Sequence, residues 1–309
     1  MKARRFGTVA GLLVLCAILW ILTPYFLTVS NLLNVAQQTS INAIVAAGMT
    51  FVIISGGIDL SVGSIVALSG VAFGTVWLES NQAPIATLIV VACAVGMLCG
   101  LANGLLISIG HLPPFIATLG MMSIARGAAL LATEGRPISG FEENIRTIAT
   151  GSIGFIPAPV AAMIGTYVIA HVVLTRTTFG RYVYAIGGNE EATRLSGVSI
   201  AFHKTAVYCV SGLTSAIAAI VLTARLNSAQ PIAGMMYELD AIAAVVIGGT
   251  SLSGGQGSLG GTLIGALIMG VLRNGLNLLG VSSFLQQIVI GGVIVGAVLV
   301  DTILKRSRA

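Results

Sequence analysis

A few polar and ionisable side chains inside long apolar stretches are the residues of this chain best suited to chemistry. An ionisable residue at membrane depth costs free energy, so it marks a pathway, a gate or a structural pair. Asp59 follows the pair Gly56-Gly57 at the end of an uncharged run that begins at Phe6. Its carboxylate could act in gating, or it could cap the next helix together with Ser61, and we prefer the capping interpretation. The candidate pathway or gating residues are Asp59, Ser61, Asn103, Arg126, Glu238, Asp240 and Asn274.

Arg126 lies inside an apolar segment, where an unpaired guanidinium at the helix centre would cost ~2.5–3.5 kcal/mol on insertion scales. We therefore expect it to have a partner, and Glu238 and Asp240 are the candidate acids. Asn103 and Asn274, each followed by Gly-Leu, could hydrogen-bond between helices or line a polar route. We prefer the packing interpretation for both.

The string Leu252–Gln256 spells LSGGQ, the signature of ATP-binding-cassette (ABC) ATPases. ATP binding also needs a G-x-x-x-x-G-K-[ST] loop whose lysine reaches the phosphates. The chain has only Lys2, Lys204 and Lys305, and none follows such a glycine pattern. We therefore interpret the string as a glycine-rich turn, and we expect the chain not to hydrolyse ATP by itself.

An intramembrane protease would need a buried nucleophile with its base, or paired aspartates. His171 is available, but it lies near the end of an apolar segment, where packing is the commoner role. No H-E-x-x-H metal motif occurs, and the four cysteines lie in apolar stretches, as packing residues do. The sequence therefore predicts no catalytic residue, no metal site and no directly bound cofactor.

Composition decides the class of protein. Only 15 basic and 10 acidic residues occur among 309, or 8% charged, against about 25% in soluble domains. So few charges cannot cover a soluble surface of this size. This excludes a soluble enzyme, a nucleic-acid-binding domain and a disordered chain, and nucleic acid is not an expected partner. The sequence predicts an all-α, polytopic membrane protein whose single domain covers residues 1–309.

About ten spans are predicted, because each needs ~20 mostly apolar residues. The second and eighth are short and end in glycine pairs, so either could be broken or re-entrant. Glycines at four-residue spacing, as at Gly96, Gly100 and Gly104, predict close helix crossings, within the subunit rather than at a dimer face. The spans are 6–27, 41–57, 61–78, 84–109, 113–131, 156–174, 204–226, 239–252, 258–279 and 284–303.

The distribution of Lys and Arg predicts that both termini are cytoplasmic, because cytoplasmic segments are enriched in basic residues. With ten spans, the inner segments hold ten of the fifteen basic residues. The outer side and outer helix ends hold Arg126, Arg136, Arg146, Arg225 and Arg273. The inner ones are Lys2, Arg4, Arg5, Arg176, Arg181, Arg194, Lys204, Lys305, Arg306 and Arg308.

The predicted inner loop, residues 175–203, carries the densest charge and a short helix with capping signals at both ends. Asn189 suits the N-cap, Glu190 and Glu191 suit the first turn, and Gly197 suits the residue after the C-cap. Such a helix could dock an energising partner or be an ordinary surface helix, and local features leave both open. The segment comprises Gly188, Asn189, Glu190, Glu191, Ala192, Thr193, Arg194, Leu195, Ser196 and Gly197.

Several strings in this chain resemble the permease subunits of ribose-type ABC importers, in the branched-chain amino acid/sugar permease family. The resemblance runs in family order from about residue 27 to 301. The strings are GGIDLSVGS at 56–64, GRY at 180–182, GNE at 188–190, ATRLSG at 192–197, SAQP at 228–231, YELDAIAAVVIGGTSL at 237–252 and NGLNLLGVSS at 274–283.

The resemblance implies a homodimer of permeases in the bacterial inner membrane, in contact with lipid. It implies cytoplasmic ATPase subunits, which use ATP and Mg²⁺, docked on the 188–197 segment, and a periplasmic sugar-binding protein outside. The implied cargo is a monosaccharide, with ribose expected first. Xylose, galactose or an autoinducer-2 type compound are the alternatives. The remaining alternative is a secondary carrier or channel that needs no partner. Few charges occur within the predicted spans, and this fits an ABC importer of a neutral cargo better than an ion-coupled carrier, which usually needs buried carboxylates.

Overall fold

The computed structural model describes residues 2–80 and 83–306, and helices dominate this part of the chain. This confirms the all-α class. The helices are α1 (Lys2–Leu22), α2 (Val29–Ile54), α3 (Val62–Glu79), α4 (Ile85–Ser108), α5 (Pro114–Thr133), α6 (Glu143–Thr150), α7 (Ala158–Arg176), α8 (Thr178–Gly188), α9 (Glu190–Leu195), α10 (Ile200–Leu226), α11 (Tyr237–Ile247), α12 (Leu259–Leu278) and α13 (Ser283–Arg306).

Seven helices of the described chain are long and apolar enough to cross a membrane: α2, α3, α4, α5, α7, α10 and α12. Shorter apolar stretches of α1 and α13, Gly7–Leu22 and Ser283–Gly296, add to them. Some of the basic residues predicted on the inner side are not described. Arg308 lies outside the described residues, and for five others only the backbone is described: Lys2, Arg4, Arg5, Lys305 and Arg306.

The predicted boundaries are wrong at three spans. The first ends at Leu22 rather than at residue 27. The second, predicted over 41–57, is the 26-residue helix α2, which begins at Val29. The eighth, predicted over 239–252, is the 11-residue helix α11, which ends at Ile247 before a glycine-rich turn. Glycine pairs allowed a broken or re-entrant helix at both the second and the eighth span. The second is one continuous helix, whereas the eighth contains only the short helix α11.

Helix α2 is the centre of the molecule. Its residues from Ile41 to Ile54, Asn42 excepted, are buried on every side, as is typical of a helix that is apolar all round. It packs against α7, α10, α11 and α12. Its neighbours therefore hold in place both its middle and the turn that follows it.

The predicted close crossing of small residues is confirmed within the subunit, between α4 and α10. A Cβ on Gly96 would overlap the carbonyl oxygen of Gly212, and one on Gly100 would overlap that of Tyr208. Only glycine allows the two backbones to approach this closely.

One end of the bundle carries α6, one short hairpin and a second antiparallel strand pair between distant parts of the chain. Strand β1 (Ile138–Ser139) pairs antiparallel with β4 (Ser228–Ala229), and β2 (Ser152–Ile153) with β3 (Ile156–Pro157). The rings of Trp77 and Phe141 pack edge to face, with centroids 4.7 Å apart. Packing thus holds part of the segment between α5 and α7 in place.

Candidate functional site

The predicted short helix at 189–197 is present as α9, and its caps form as expected. The Asn189 Oδ1 accepts a hydrogen bond from the amide of Ala192 at 2.9 Å. Gly197 has φ +82°, a left-handed conformation that suits glycine after a helix end. Local capping chemistry therefore fixes both ends of this segment.

The α9 segment, which we define as residues 188–197, presents nearly all of its side chains to solvent. All ten residues are described; Thr193 is buried and the other nine are exposed. Glu190 accepts from Lys204 Nζ at 2.6 Å, and Arg194 pairs with Glu191 at 2.6 Å. Leu195 is 79% exposed. The α9 segment is therefore a solvent-exposed, mixed-charge surface with one exposed leucine.

Helix α8, which precedes the α9 segment, was not predicted. Its buried residues Gly180, Val183 and Ile186 follow a helical spacing along one face, and that spacing was the available signal. The Phe179 ring packs on the Phe51 ring of α2, with centroids 6.4 Å apart. Helix α8 therefore attaches the exposed α9 segment to the central helix of the bundle.

Three glycine-bearing segments meet at the end of α2, a contact that we call the glycine junction. The amide of Gly255 donates to the carbonyl oxygen of Ile54 at 2.9 Å. A Cβ on Gly187 would overlap that same carbonyl, and a Cβ on Gly254 would lie 2.7 Å from the Gly187 carbonyl oxygen. The junction thus joins α8, the end of α2 and the turn between α11 and α12.

The LSGGQ string at 252–256 forms part of this junction. Gly254 and Gly255 have φ of +79° and +71°. A residue with a side chain would be strained in this left-handed conformation, whereas glycine adopts it readily. The interpretation of the string as a tight turn is confirmed, and its glycines have a structural role.

Asp59 lies in the segment between α2 and α3 and is fully buried. Its Oδ1 accepts from the amide and the hydroxyl of Ser61, at 2.9 and 2.6 Å, and its Oδ2 accepts from the Ser211 hydroxyl at 2.7 Å. Burial raises the pKa of the Asp59 carboxyl above its ordinary value, and these hydrogen bonds oppose the rise. The carboxyl therefore depends on its serine donors.

Ser61 has a different role from the predicted cap. It is the N-cap residue of α3, but its side chain makes no capping hydrogen bond. Its hydroxyl donates to Asp59 and accepts from Asn103 Nδ2 at 2.9 Å. Asp59, Ser61 and Asn103 thus form one buried cluster that includes Ser211, which the sequence analysis did not single out.

Arg126 is held by carbonyl oxygens. Its Nη1 donates to the carbonyls of Pro231 and Ala233, both at 2.7 Å. These carbonyls belong to an irregular stretch before α11, so they are not engaged in the hydrogen bonds of a helix. Glu238 attracts the guanidinium electrostatically.

Asp240 does not pair with Arg126, so that predicted pairing is wrong. Its Oδ2 accepts from Arg273 Nη2 at 2.8 Å and from Asn42 Nδ2 at 3.2 Å. From the sequence, Arg273 is expected only at an outer helix end. Asp240 is therefore a buried acid that meets a cation on α12 and an amide on α2.

Asn274 bonds between helices, as the packing interpretation expects. Its side chain and that of Asn31 on α2 exchange two hydrogen bonds, at 2.8 and 3.0 Å. The predicted residues therefore fall into separate groups: the Asp59 cluster, the Asp240–Arg273 pair, Arg126 on its carbonyls, the Asn274–Asn31 pair and the exposed α9 segment.

Comparison with known proteins gives one consistent result. The family model described as "Branched-chain amino acid transport system / permease component" matches residues 31–298. The chain is 52% identical to the ribose import permease protein RbsC of Escherichia coli K12, over 90% of this chain and 88% of that protein. It is 50% identical to RbsC of Bacillus subtilis, over 93% and 89%.

A third relative, RbsC of Haemophilus influenzae, is 49% identical over 90% of this chain and 87% of its own. No solved structure matches the chain.

Proposed function

This chain belongs to the family of branched-chain amino acid transport system permease components, and from that membership we propose that it is the permease subunit of an ABC importer for ribose. The carrying observation is about 50% identity to ribose import permeases from three bacteria, along nearly the whole chain. The cargo would move from the periplasm to the cytoplasm, across the inner membrane in which this multi-pass chain resides.

We propose ten crossings with both termini in the cytoplasm. Seven long helices together with α1 and α13 supply nine. Residues 228–254 supply the tenth, because Ser228 pairs with β1 at the hairpin end of the bundle, whereas Gly254 lies at the glycine junction. The irregular stretch before α11 and the helix itself together cover the distance that α11 alone, at ~1.5 Å per residue, cannot.

The α9 segment is the proposed docking site for the cytoplasmic ATPase subunit. Three features support this: its exposure, its paired charges and its attachment through α8 to the glycine junction. Closure of the ATPase subunits would move the segment, and the junction would pass that movement to α2 and to the α11–α12 turn. The helices would then rock and switch access from outside to inside.

ATP and Mg²⁺ belong to the partner ATPase in this scheme, and the permease itself performs no hydrolysis. A second copy of the permease completes the pathway, and a periplasmic sugar-binding protein delivers the cargo. Within the subunit, the contacts of Asp59, Ser61, Asn103, Arg126 and Asn274 favour a structural role, because each is bonded to another element. Glu238 remains a proposed pathway residue. Asp240 is bonded to Arg273 and Asn42 as well, and it remains a proposed pathway residue because it also lines a polar cavity.

Reconstitution in vesicles with the ATPase and the binding protein tests the proposal. We expect ribose uptake that requires ATP, the ATPase and the binding protein. Equal uptake without ATP would favour the second candidate, a partner-free carrier. Competition by unlabelled xylose or galactose as strong as that by ribose would contradict ribose as the cargo.

A further inference from the structure

A small polar cavity lies among α2, α11 and α12, beside the Asp240–Arg273 pair. Its polar lining comes from three separate elements, and its free volume accommodates a group the size of a water molecule or a hydroxyl. The polar lining residues are Gln38, Thr39, Asn42, Asp240 and Arg273.

Arg273 shows where this cavity opens. Its side chain is 39% exposed although α12 is a membrane-spanning helix, whereas its partner Asp240 is buried. A guanidinium in a spanning helix faces water or protein rather than lipid, because lipid contact is costly. The exposed side of Arg273 therefore faces water, the headgroup region at the outer end of α12, or the second permease copy.

Two polar atoms of the cavity lining lack a partner. The Thr39 Oγ1 and the Asn42 Oδ1 are buried, and neither forms a hydrogen bond within the described residues. Thr39 is only 3% exposed. Buried polar atoms are normally satisfied, so two such atoms at one cavity point to a group that bonds there.

Gly270 keeps the Thr39 hydroxyl available. A Cβ at Gly270 would overlap the Thr39 Oγ1, so any larger residue on this turn of α12 would fill the space. The cavity is therefore built from a glycine, two unsatisfied polar atoms and a charged pair.

We propose that this cavity is a hydroxyl-binding subsite for a neutral sugar on its way through the permease, a proposal that rests on the function proposed above. A sugar hydroxyl both donates and accepts, so it can donate to the Asn42 Oδ1 and accept from Thr39 or Arg273. One cation and one anion line the cavity together and leave it without net charge, which suits a polyol better than an ion.

The test compares Thr39→Val with Thr75→Val in the full transporter, with ATPase and binding protein, in vesicles. Both changes remove a buried hydroxyl that has no hydrogen-bond partner in the described structure, but Thr75 is on α3 and does not line the cavity. The measurement is ATP-driven uptake of ribose and of its single-deoxy analogues. The binding protein is the same in every arm, so its own preferences cancel in the ratio of variant to wild type.

We expect Thr39→Val to lower ribose uptake on the order of fivefold, the loss that one hydrogen bond gives, with Thr75→Val unchanged. For one deoxy analogue, the one lacking the bound hydroxyl, Thr39→Val should have no effect. Thr39→Ser should restore ribose uptake. Co-purification with the ATPase checks that each variant assembles.

An equal effect of Thr39→Val on ribose and on every deoxy analogue would mean a structural role and would overturn the subsite. So would a Thr39→Val variant that transports like Thr75→Val, or a Thr39→Ser variant that fails to recover. Absence of ATP-dependent uptake by the wild type would instead contradict the proposed function, and the subsite with it.

Discussion

The backbone amide of Gly255 donates a hydrogen bond to the carbonyl oxygen of Ile54, 2.9 Å away. This bond joins the turn between α11 and α12 to the last residue of α2. Gly187 of α8 packs on the same carbonyl without room for a side chain. Helix α8 is therefore in close backbone contact with both the end of α2 and the α11–α12 turn, and these are the contacts through which we propose that it moves them.

Gly187→Ala should impair the junction, because the added methyl group would overlap the Ile54 carbonyl. Overpacking of this kind costs about 1–3 kcal/mol. We expect a melting temperature lower by several degrees and weaker ATP-driven uptake. Gly120→Ala on α5 is the control, since a Cβ there meets nothing within 4 Å and the residue lies outside both the junction and the α9 segment. Equal effects of the two substitutions on melting temperature and uptake would contradict the junction.

Charge reversal on the α9 segment should weaken ATPase docking and leave the permease folded. Glu190→Arg sets a second cation beside Lys204, and Arg194→Glu sets an acid beside Glu191. Exposed ion pairs contribute only about 0–1 kcal/mol, so membrane insertion and thermal stability should change little. The measurement is the amount of ATPase subunit retained on the tagged permease. If the variants retain as much ATPase subunit as the wild type and transport normally, the α9 segment does not couple the permease to the ATPase.

Asp59→Asn should destabilise the α2–α3 segment by about 1–3 kcal/mol, because the amide nitrogen cannot accept from the Ser211 hydroxyl. Ser211→Ala removes the other half of the same bond. In a double-mutant cycle on thermal stability, the loss of stability in the double variant should therefore be smaller than the sum of the two single losses. Strict additivity would show that the two side chains do not interact.

Gly100→Ala should loosen the crossing of α4 and α10, since its Cβ would overlap the Tyr208 carbonyl oxygen. Gly127→Ala on α5 is the control, because its Cβ meets nothing within 4 Å and alanine favours a helix. We expect a lower melting temperature for the first variant alone. A Gly100→Ala protein as stable as Gly127→Ala would show that the crossing is not tight.

The features that sequence predicted correctly depend on local chemistry. Asn189 and Gly197 cap α9 because capping involves neighbours within a few residues. The start of α2 was missed because Asn31, Asn34 and Gln37 interrupt its hydropathy. Those residues are tolerated there partly through long-range bonds, such as the one from Asn31 to Asn274.

The partners of the buried charges could not be predicted for the same reason. Arg273 meets Asp240 because α11 and α12 are packed together, and no periodicity in the sequence encodes that contact. Arg126 is satisfied by two carbonyls, which every residue carries, so side-chain types cannot identify them. Ser211 likewise has no signal beyond a hydroxyl in an apolar helix.

The most direct test of the proposed function is ribose uptake by vesicles that contain this permease and its ATPase, with the binding protein on the outer side. We expect uptake that depends on ATP and stops when either partner is omitted. Uptake of the same rate without ATP, or with the permease alone, would contradict it.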